Sequence, residues 1–98
     1  MVTILVTMTV RPEDAPEFEA TLDALMPFLR ETEPDTLRFD YYRVGKQDGV
    51  YRLFEVYASR EAFDFHINNP ATESQRSTFK RLLTGPTEVQ FLTALGGK

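Results

Sequence analysis

The sequence predicts an α+β sandwich of βαββαβ order, one antiparallel sheet with its helices on one face. Three observations carry that reading. Residues 1–10 alternate apolar and polar in steps of two, which is the period of a strand. Residues 36–58 show the same alternation on either side of a glycine-bounded loop. After Pro12 and again after Ser59, the apolar residues change to a spacing of three and four, as on a helix.

In the first strand Val2, Ile4, Val6, Met8 and Val10 share one face, and Thr3, Leu5, Thr7 and Thr9 the other. Arg11-Pro12 ends it. Asp14-Ala15-Pro16-Glu17 then reads as a helix start, with Asp14 as cap and Glu17 completing a capping box. Phe18, Leu22, Leu25, Met26 and Leu29 follow at helical spacing. Pro27 interrupts this helix and predicts a bend between Asp23 and Pro27, because its ring clashes with the preceding turn and it has no N–H. The helix should close before Glu33-Pro34.

Thr36–Val44 and Val50–Ala58 form a hairpin around Gly45-Lys46-Gln47-Asp48-Gly49. Pairing Val44 with Val50 puts Phe39 opposite Glu55, Tyr41 opposite Leu53 and Leu37 opposite Tyr57. One hairpin face then holds Leu37, Phe39, Tyr41, Arg43, Tyr51, Leu53, Glu55 and Tyr57. A one-residue slip would exchange the faces.

The stretch from Glu55 to Gln75, E-V-Y-A-S-R-E-A-F-D-F-H-I-N-N-P-A-T-E-S-Q, organises the rest. Ser59 is placed to cap a short helix that carries the only histidine, His66. Asn69-Pro70 repeats the signal, a capping side chain followed by proline at the first helical position. A second helix therefore begins there, with Phe79, Leu82 and Leu83 on its inner side, and stops at Gly85-Pro86. Glu88–Leu95 is the last strand.

This order makes a ferredoxin-like sandwich over residues 1–98, a single domain. Helices on one side leave the other sheet face bare, although each strand also puts apolar residues there. A face of that kind marks an interaction site. The simplest partner is a second copy, giving a homodimer in which two sheets close a dimeric α+β barrel.

Composition narrows the functional classes. The chain has 98 residues, a formal net charge of −4, no cysteine and no tryptophan. An acidic balance disfavours binding to DNA or RNA phosphates. Without cysteine there is no disulfide, thiolate nucleophile or thiolate metal site. Neither a leader segment nor an apolar run of membrane-spanning length is evident, so a cytoplasmic location is expected. Metal binding would need His66 plus carboxylates at no recognisable spacing. Eight phenylalanines and four tyrosines suit either a core or the walls of a pocket for a flat ligand.

Two runs carry a family resemblance that covers nearly the whole chain. Glu33-Pro34-Asp35-Thr36-Leu37-Arg38-Phe39-Asp40 resembles the E-P-G-C-L-R-Y-D segment of the antibiotic biosynthesis monooxygenase domains, which include quinol monooxygenase-like proteins. Tyr51-Arg52-Leu53-Phe54-Glu55-Val56-Tyr57-Ala58, followed by Ala62-Phe63 and His66, resembles their F-x-L-x-E-x-Y-A…A-F-x-x-H run. The resemblance implies dimeric α+β barrels with a pocket between each sheet and its helices. It also implies oxidation of quinols or phenols by O2 with no metal or bound cofactor. Relatives in the same family isomerise a small phosphorylated ketone or degrade haem. This chain departs from the pattern at Ala71, where relatives often carry a second histidine. Its lack of tryptophan, with Val6 at the position of a pocket asparagine, disfavours haem degradation.

Within that frame His66 and Glu55 are the candidate catalytic residues. Histidine is the side-chain type that exchanges protons near neutrality, and a phenol must lose a proton before it passes an electron to O2. The alternative is a histidine with a purely structural place at the helix break. Glu55, on an aromatic face, is either an acid–base group with a raised pKa or a carboxylate paired with an arginine. Tyr41, Tyr57 and Phe63 are the candidate substrate-binding residues, with packing as the alternative for each. Glu31, Glu33 and Asp35 read as a solvated acidic face. The expected function is therefore cofactor-independent monooxygenation of a quinol, polyphenol or other aromatic metabolite. The alternatives are a non-catalytic ligand-binding module and an isomerase. A cavity that brings His66 together with another polar group separates the enzyme reading from the binding module.

Overall fold

The computed structural model describes residues 1–98. Its elements are β1 (Val2–Thr9), α1 (Ala15–Thr32), β2 (Thr36–Arg43), β3 (Val50–Tyr57), α2 (Arg60–Asn68), α3 (Glu73–Leu82) and β4 (Glu88–Leu92). Short 3-10 turns at Pro12–Asp14 and Pro70–Thr72 lead into α1 and α3. The four strands form one antiparallel sheet in the order β2-β3-β1-β4, so the fold is the ferredoxin-like sandwich that the element order predicted.

The alternation in β1 has its expected consequence. Ile4, Val6, Met8 and Val10 are buried under the helices, beside Tyr51, Leu53 and Tyr57 of β3. From α1 come Phe18, Leu22, Leu25 and Leu29, and from α3 Phe79 and Leu82, all in one core cluster. Phe18 is wholly buried between the rings of Tyr51 and Phe79, at centroid distances of 4.5 and 5.3 Å. Each such side chain contributes about 1.5–3 kcal/mol by leaving water.

Three local expectations are corrected. Asp14 does not cap α1 with its side chain. The 3-10 turn runs straight into the helix, so Asp14 is already in the helical region (φ −93°, ψ −5°), where its carboxylate cannot fold back. It faces Arg11 at 3.5 Å instead, and Glu17 reaches across to Arg81. In the hairpin, Val44 and Val50 pair, and Phe39 opposes Glu55 and Tyr41 opposes Leu53 as expected. At the far end, however, Thr36 and not Leu37 opposes Tyr57, because the register shifts between Thr36 and Arg38. That irregularity turns Leu37 out to 51% exposure. The last strand stops at Leu92 rather than Leu95.

α1 continues through Pro27 to Thr32. Leu29 stays in the core while Phe28 is exposed. The sheet face away from the helices carries Leu5, Phe54, Val56, Tyr42 and Leu92, with the Arg38 guanidinium 5.6 Å over the Phe54 ring. No helix covers them.

Gly49 closes the hairpin against β1. Its φ is +88°, its carbonyl accepts from the Val10 N–H at 2.8 Å, and a Cβ there would lie 2.3 Å from the Val10 carbonyl oxygen. Both the dihedral and the clash are with fixed backbone. Gly49→Ala is expected to destabilise the fold by about 3 kcal/mol, measured by urea unfolding. Gly45→Ala, at φ +50° with open space around it, should cost about 1 kcal/mol.

Candidate active site

Two chain reversals build the site. The first follows α1, where Glu33 ends the helix and Thr36 starts β2. The second is the break between α2 and α3. Ser59 caps α2 as its sequence position suggested, accepting from the Ala62 N–H at 3.1 Å. Asn69 does the same for the next turn, its Oδ1 accepting from the Ala71 N–H at 3.0 Å. Pro70 then holds the backbone at the first position of that turn. His66 sits in the last turn of α2, one turn before this break, and points inward.

Glu33 is the centre of the polar network, and its expected place on a solvated face is corrected. It is 4% exposed. The His66 Nδ1 lies 2.7 Å from its Oε1, the Thr36 hydroxyl donates to the same oxygen at 2.7 Å, and the Asn69 amide donates to Oε2 at 2.8 Å. Burial raises the carboxyl's proton affinity, but the donors from His66, Asn69 and Thr36 outweigh it and hold Glu33 below the ordinary 4.5. An ionised Glu33 accepts only, so the neutral tautomer that fits it carries its proton on Nδ1 and leaves the Nε2 lone pair towards Glu55 and the cavity.

The other face of the imidazole meets Glu55, whose Oε1 is 3.9 Å from Nε2. Glu55 is also 4% exposed, and the Tyr57 hydroxyl donates to it. Burial pushes its carboxyl up, and the Tyr57 hydrogen bond and the positive charge that His66 carries when protonated only partly oppose this. The two carboxylates around one histidine are thus driven in opposite directions, Glu33 towards the ionised form and Glu55 towards the protonated one. The Tyr57 hydroxyl is itself held protonated by burial and by the neighbouring Glu55. Its ring lies 5.1 Å from the imidazole and 5.3 Å from Phe63.

A cavity of about 380 Å³ opens beside this network, between β1, β3 and β4 on one side and α2 and α3 on the other. Ile4, Val6, Met8, Leu53, Phe63 and Phe79 form its apolar walls, and His66, Glu55, Thr72, Arg76, Lys80 and Thr87 its polar points. This volume lies within the usual range for small-molecule sites.

The structure brings His66, Glu55 and Phe63 together at the cavity. Tyr57 lies directly behind it, reaching it through Glu55 and His66. Tyr41 is placed elsewhere, its hydroxyl donating to Asp23 on α1 at 2.6 Å in a separate surface groove. Glu33 and Asn69 were not singled out as site residues. Glu33 stands in an acidic run that looks solvated, and two of its three partners, His66 and Asn69, are 33 and 36 residues away in sequence. The one available signal was the E-P turn itself, a carboxylate directly before the second strand.

The sequence profile of the family described as antibiotic biosynthesis monooxygenase matches residues 1–74. Among solved structures, a Caulobacter crescentus protein named for that family is 25% identical, covering 97% of this chain and 90% of its own, with a TM-score of 0.87. Rv0793 from Mycobacterium tuberculosis is 31% identical, covering 98% of this chain and 96% of its own, with a TM-score of 0.82. A variant of SnoaB, a cofactor-independent oxygenase from Streptomyces nogalater, is 23% identical over 98% of this chain and 94% of its own, with a TM-score of 0.79. That last likeness is one of fold. An uncharacterized Synechocystis protein is 27% identical over 83% of this chain, and the chain spans about half, 54%, of its length.

Proposed function

The chain belongs to the antibiotic biosynthesis monooxygenase family, and on that premise we propose that it oxidises a quinol or polyphenol with O2, using no bound cofactor. The observation that carries this reading is His66, with Nδ1 anchored on Glu33 and Nε2 free of any hydrogen bond at the wall of an apolar cavity. An anchored imidazole of this kind serves as a general base. SnoaB, which shares the fold, is described as a cofactor-independent oxygenase, and this supports the same reaction class here.

In the proposed reaction His66 Nε2 takes the hydroxyl proton of the bound phenol. The phenolate passes one electron to O2, and the resulting radical pair combines at a ring carbon that bears hydrogen. The imidazolium returns its proton to the new peroxide. Nε2 then removes the hydrogen on that carbon as a proton while the O–O bond breaks. One oxygen stays as a carbonyl and the other leaves as water, the last proton coming from the imidazolium or from Glu55. Phenol and O2 thus become quinone and water. Glu33 stabilises the imidazolium at each stage.

Metal-free wild-type protein is expected to accelerate O2 uptake by a quinol above the uncatalysed rate, followed with an oxygen electrode. Uptake at the uncatalysed rate across a panel of quinols and polyphenols would favour the ligand-binding module.

The same proposal includes a homodimer through the uncovered sheet face, since Leu5, Phe54, Val56, Tyr42 and Leu92 otherwise meet water. Light scattering after size exclusion should give twice the 11.3 kDa of the chain at micromolar concentration. A single-chain mass would overturn it.

A further inference from the structure

The backbone at His66 has lost its helical donors. In an unbroken helix the carbonyls of His66 and Ile67 would accept from the N–H groups of residues 70 and 71. Residue 70 is proline and has no N–H. The Ala71 N–H is turned to the Asn69 side chain, and the Thr72 N–H to the Asn69 carbonyl. For the His66 carbonyl there is only a long bond, 3.5 Å, from the Asn69 N–H. The features that end α2 beside its histidine thus leave its last carbonyls short of partners.

Arg76, in the first turn of α3, fills that gap. One terminal nitrogen of its guanidinium donates to the Ile67 carbonyl and the other to the Asn69 carbonyl, the latter at 2.7 Å. None of the chain's ion pairs includes Arg76, and its Nε is buried without a partner. A guanidinium that leaves one N–H unpaired in the interior is committed to what its other two nitrogens hold. Its planar fork spans two carbonyls, which a point charge cannot do, and its charge complements the C-terminal end of the α2 dipole.

His66 is therefore fixed from two sides. Glu33 holds its Nδ1, but one hydrogen bond is a pivot about which the ring can swing. The direction of Nε2, towards Glu55 at 3.9 Å and the cavity, also needs a fixed backbone, and Arg76 grips the carbonyl of the very next residue. We infer that Arg76 is a positioning residue for His66, its fork holding the end of α2 so that Nε2 faces the cavity. This rests on the oxygenase reading for the reaction it serves, but the geometry is measurable without turnover.

The single histidine makes the test clean, since isotope-labelled histidine gives one set of imidazole signals. In the wild type, nuclear Overhauser contacts should join the imidazole to the Tyr57 and Phe39 rings, whose centroids lie 5.1 and 5.7 Å away. Arg76→Gln removes the fork, and Arg76→Lys keeps the charge but can serve only one carbonyl. Both should retain the Nδ1–H signal and lose the contact to Tyr57. With 1,4-dihydroxynaphthalene under air, kcat should fall about 10-fold in both, because a misplaced base loses its near-attack geometry, while KM stays within about two-fold. Arg81→Gln removes the same charge later on the same helix and should match the wild type in every readout.

Wild-type imidazole contacts or wild-type kcat in the two variants would overturn the inference. So would recovery of both in Arg76→Lys, which would reduce the role to charge. A raised KM at constant kcat would make Arg76 a substrate contact and overturn it too. Loss of the Nδ1–H signal together with the ring contacts would mean that the whole site has unfolded, a merely structural role. If the wild type does not accelerate O2 uptake, the oxygenase reading fails and the imidazole contacts alone decide. Lost in both variants, they retain the positioning role; unchanged, they reject it.

Discussion

Replacing His66 with alanine is expected to lower kcat/KM for quinol oxidation by about 10²-fold or more, the usual loss when a positioned base is removed. His66→Gln separates two roles. Glutamine can keep a hydrogen bond to Glu33 but cannot accept a proton at neutral pH, so it should be nearly as impaired as alanine. The effect should fall on kcat more than on KM, because Nε2 acts on the proton in flight rather than on the resting ligand. Stopped-flow quinol oxidation under air measures both parameters. If the two variants keep wild-type kcat, His66 holds the helix break and another group takes the proton.

Glu33→Gln should cost about 2–3 kcal/mol of stability and also slow the reaction. The reason is donor arithmetic. The His66 Nδ1–H, the Thr36 hydroxyl and the Asn69 amide all point at this one carboxylate. Glutamine offers a single acceptor oxygen, so its own NH2 must face one of those donors. Turnover should fall about 10-fold or more, since His66 loses the anion that stabilises its charged form. The pH dependence follows from the depressed pKa. The stabilisation is present above the ordinary 4.5 and is lost as pH falls through the lower value that Glu33 has in the folded protein. The stability gap between wild type and Glu33→Gln, measured by urea unfolding, should therefore narrow as pH drops below 4.5. A gap constant from pH 7 to pH 3 would show that Glu33 is not held ionised by these donors.

These two residues mark how far the sequence could be read. His66 was legible because it is the one histidine and stands before a capped break, features that lie within a few residues of one another. The alternation of β1 and the Val44–Val50 pairing were legible for the same reason, since period and turn chemistry are local. Glu33 was not, because its burial is decided by α2 folding back over the start of β2. Leu37 was misplaced because an irregularity between Thr36 and Arg38 leaves no local mark. Tyr41 lies on the helix-facing side, as its parity requires. Yet α1 covers that part of β2, and parity cannot say which helix lies above a given residue.

The two turns that hold the site also set the terms on which it can be transplanted. Neither Glu33 nor Asn69 belongs to the body of a helix or strand. Each does ordinary structural work at a chain reversal, closing α1 in one case and capping the turn into α3 in the other. A grafted α2 carrying histidine alone would therefore bring an unanchored imidazole into a new scaffold. The portable unit is the pair of reversals, Glu33–Thr36 and Asn69–Thr72, with the histidine one turn upstream of the second and the Arg76 fork one turn downstream of it. The β1 and β4 walls lie outside that unit and can be recut for a different ligand while the proton-handling groups keep their anchors.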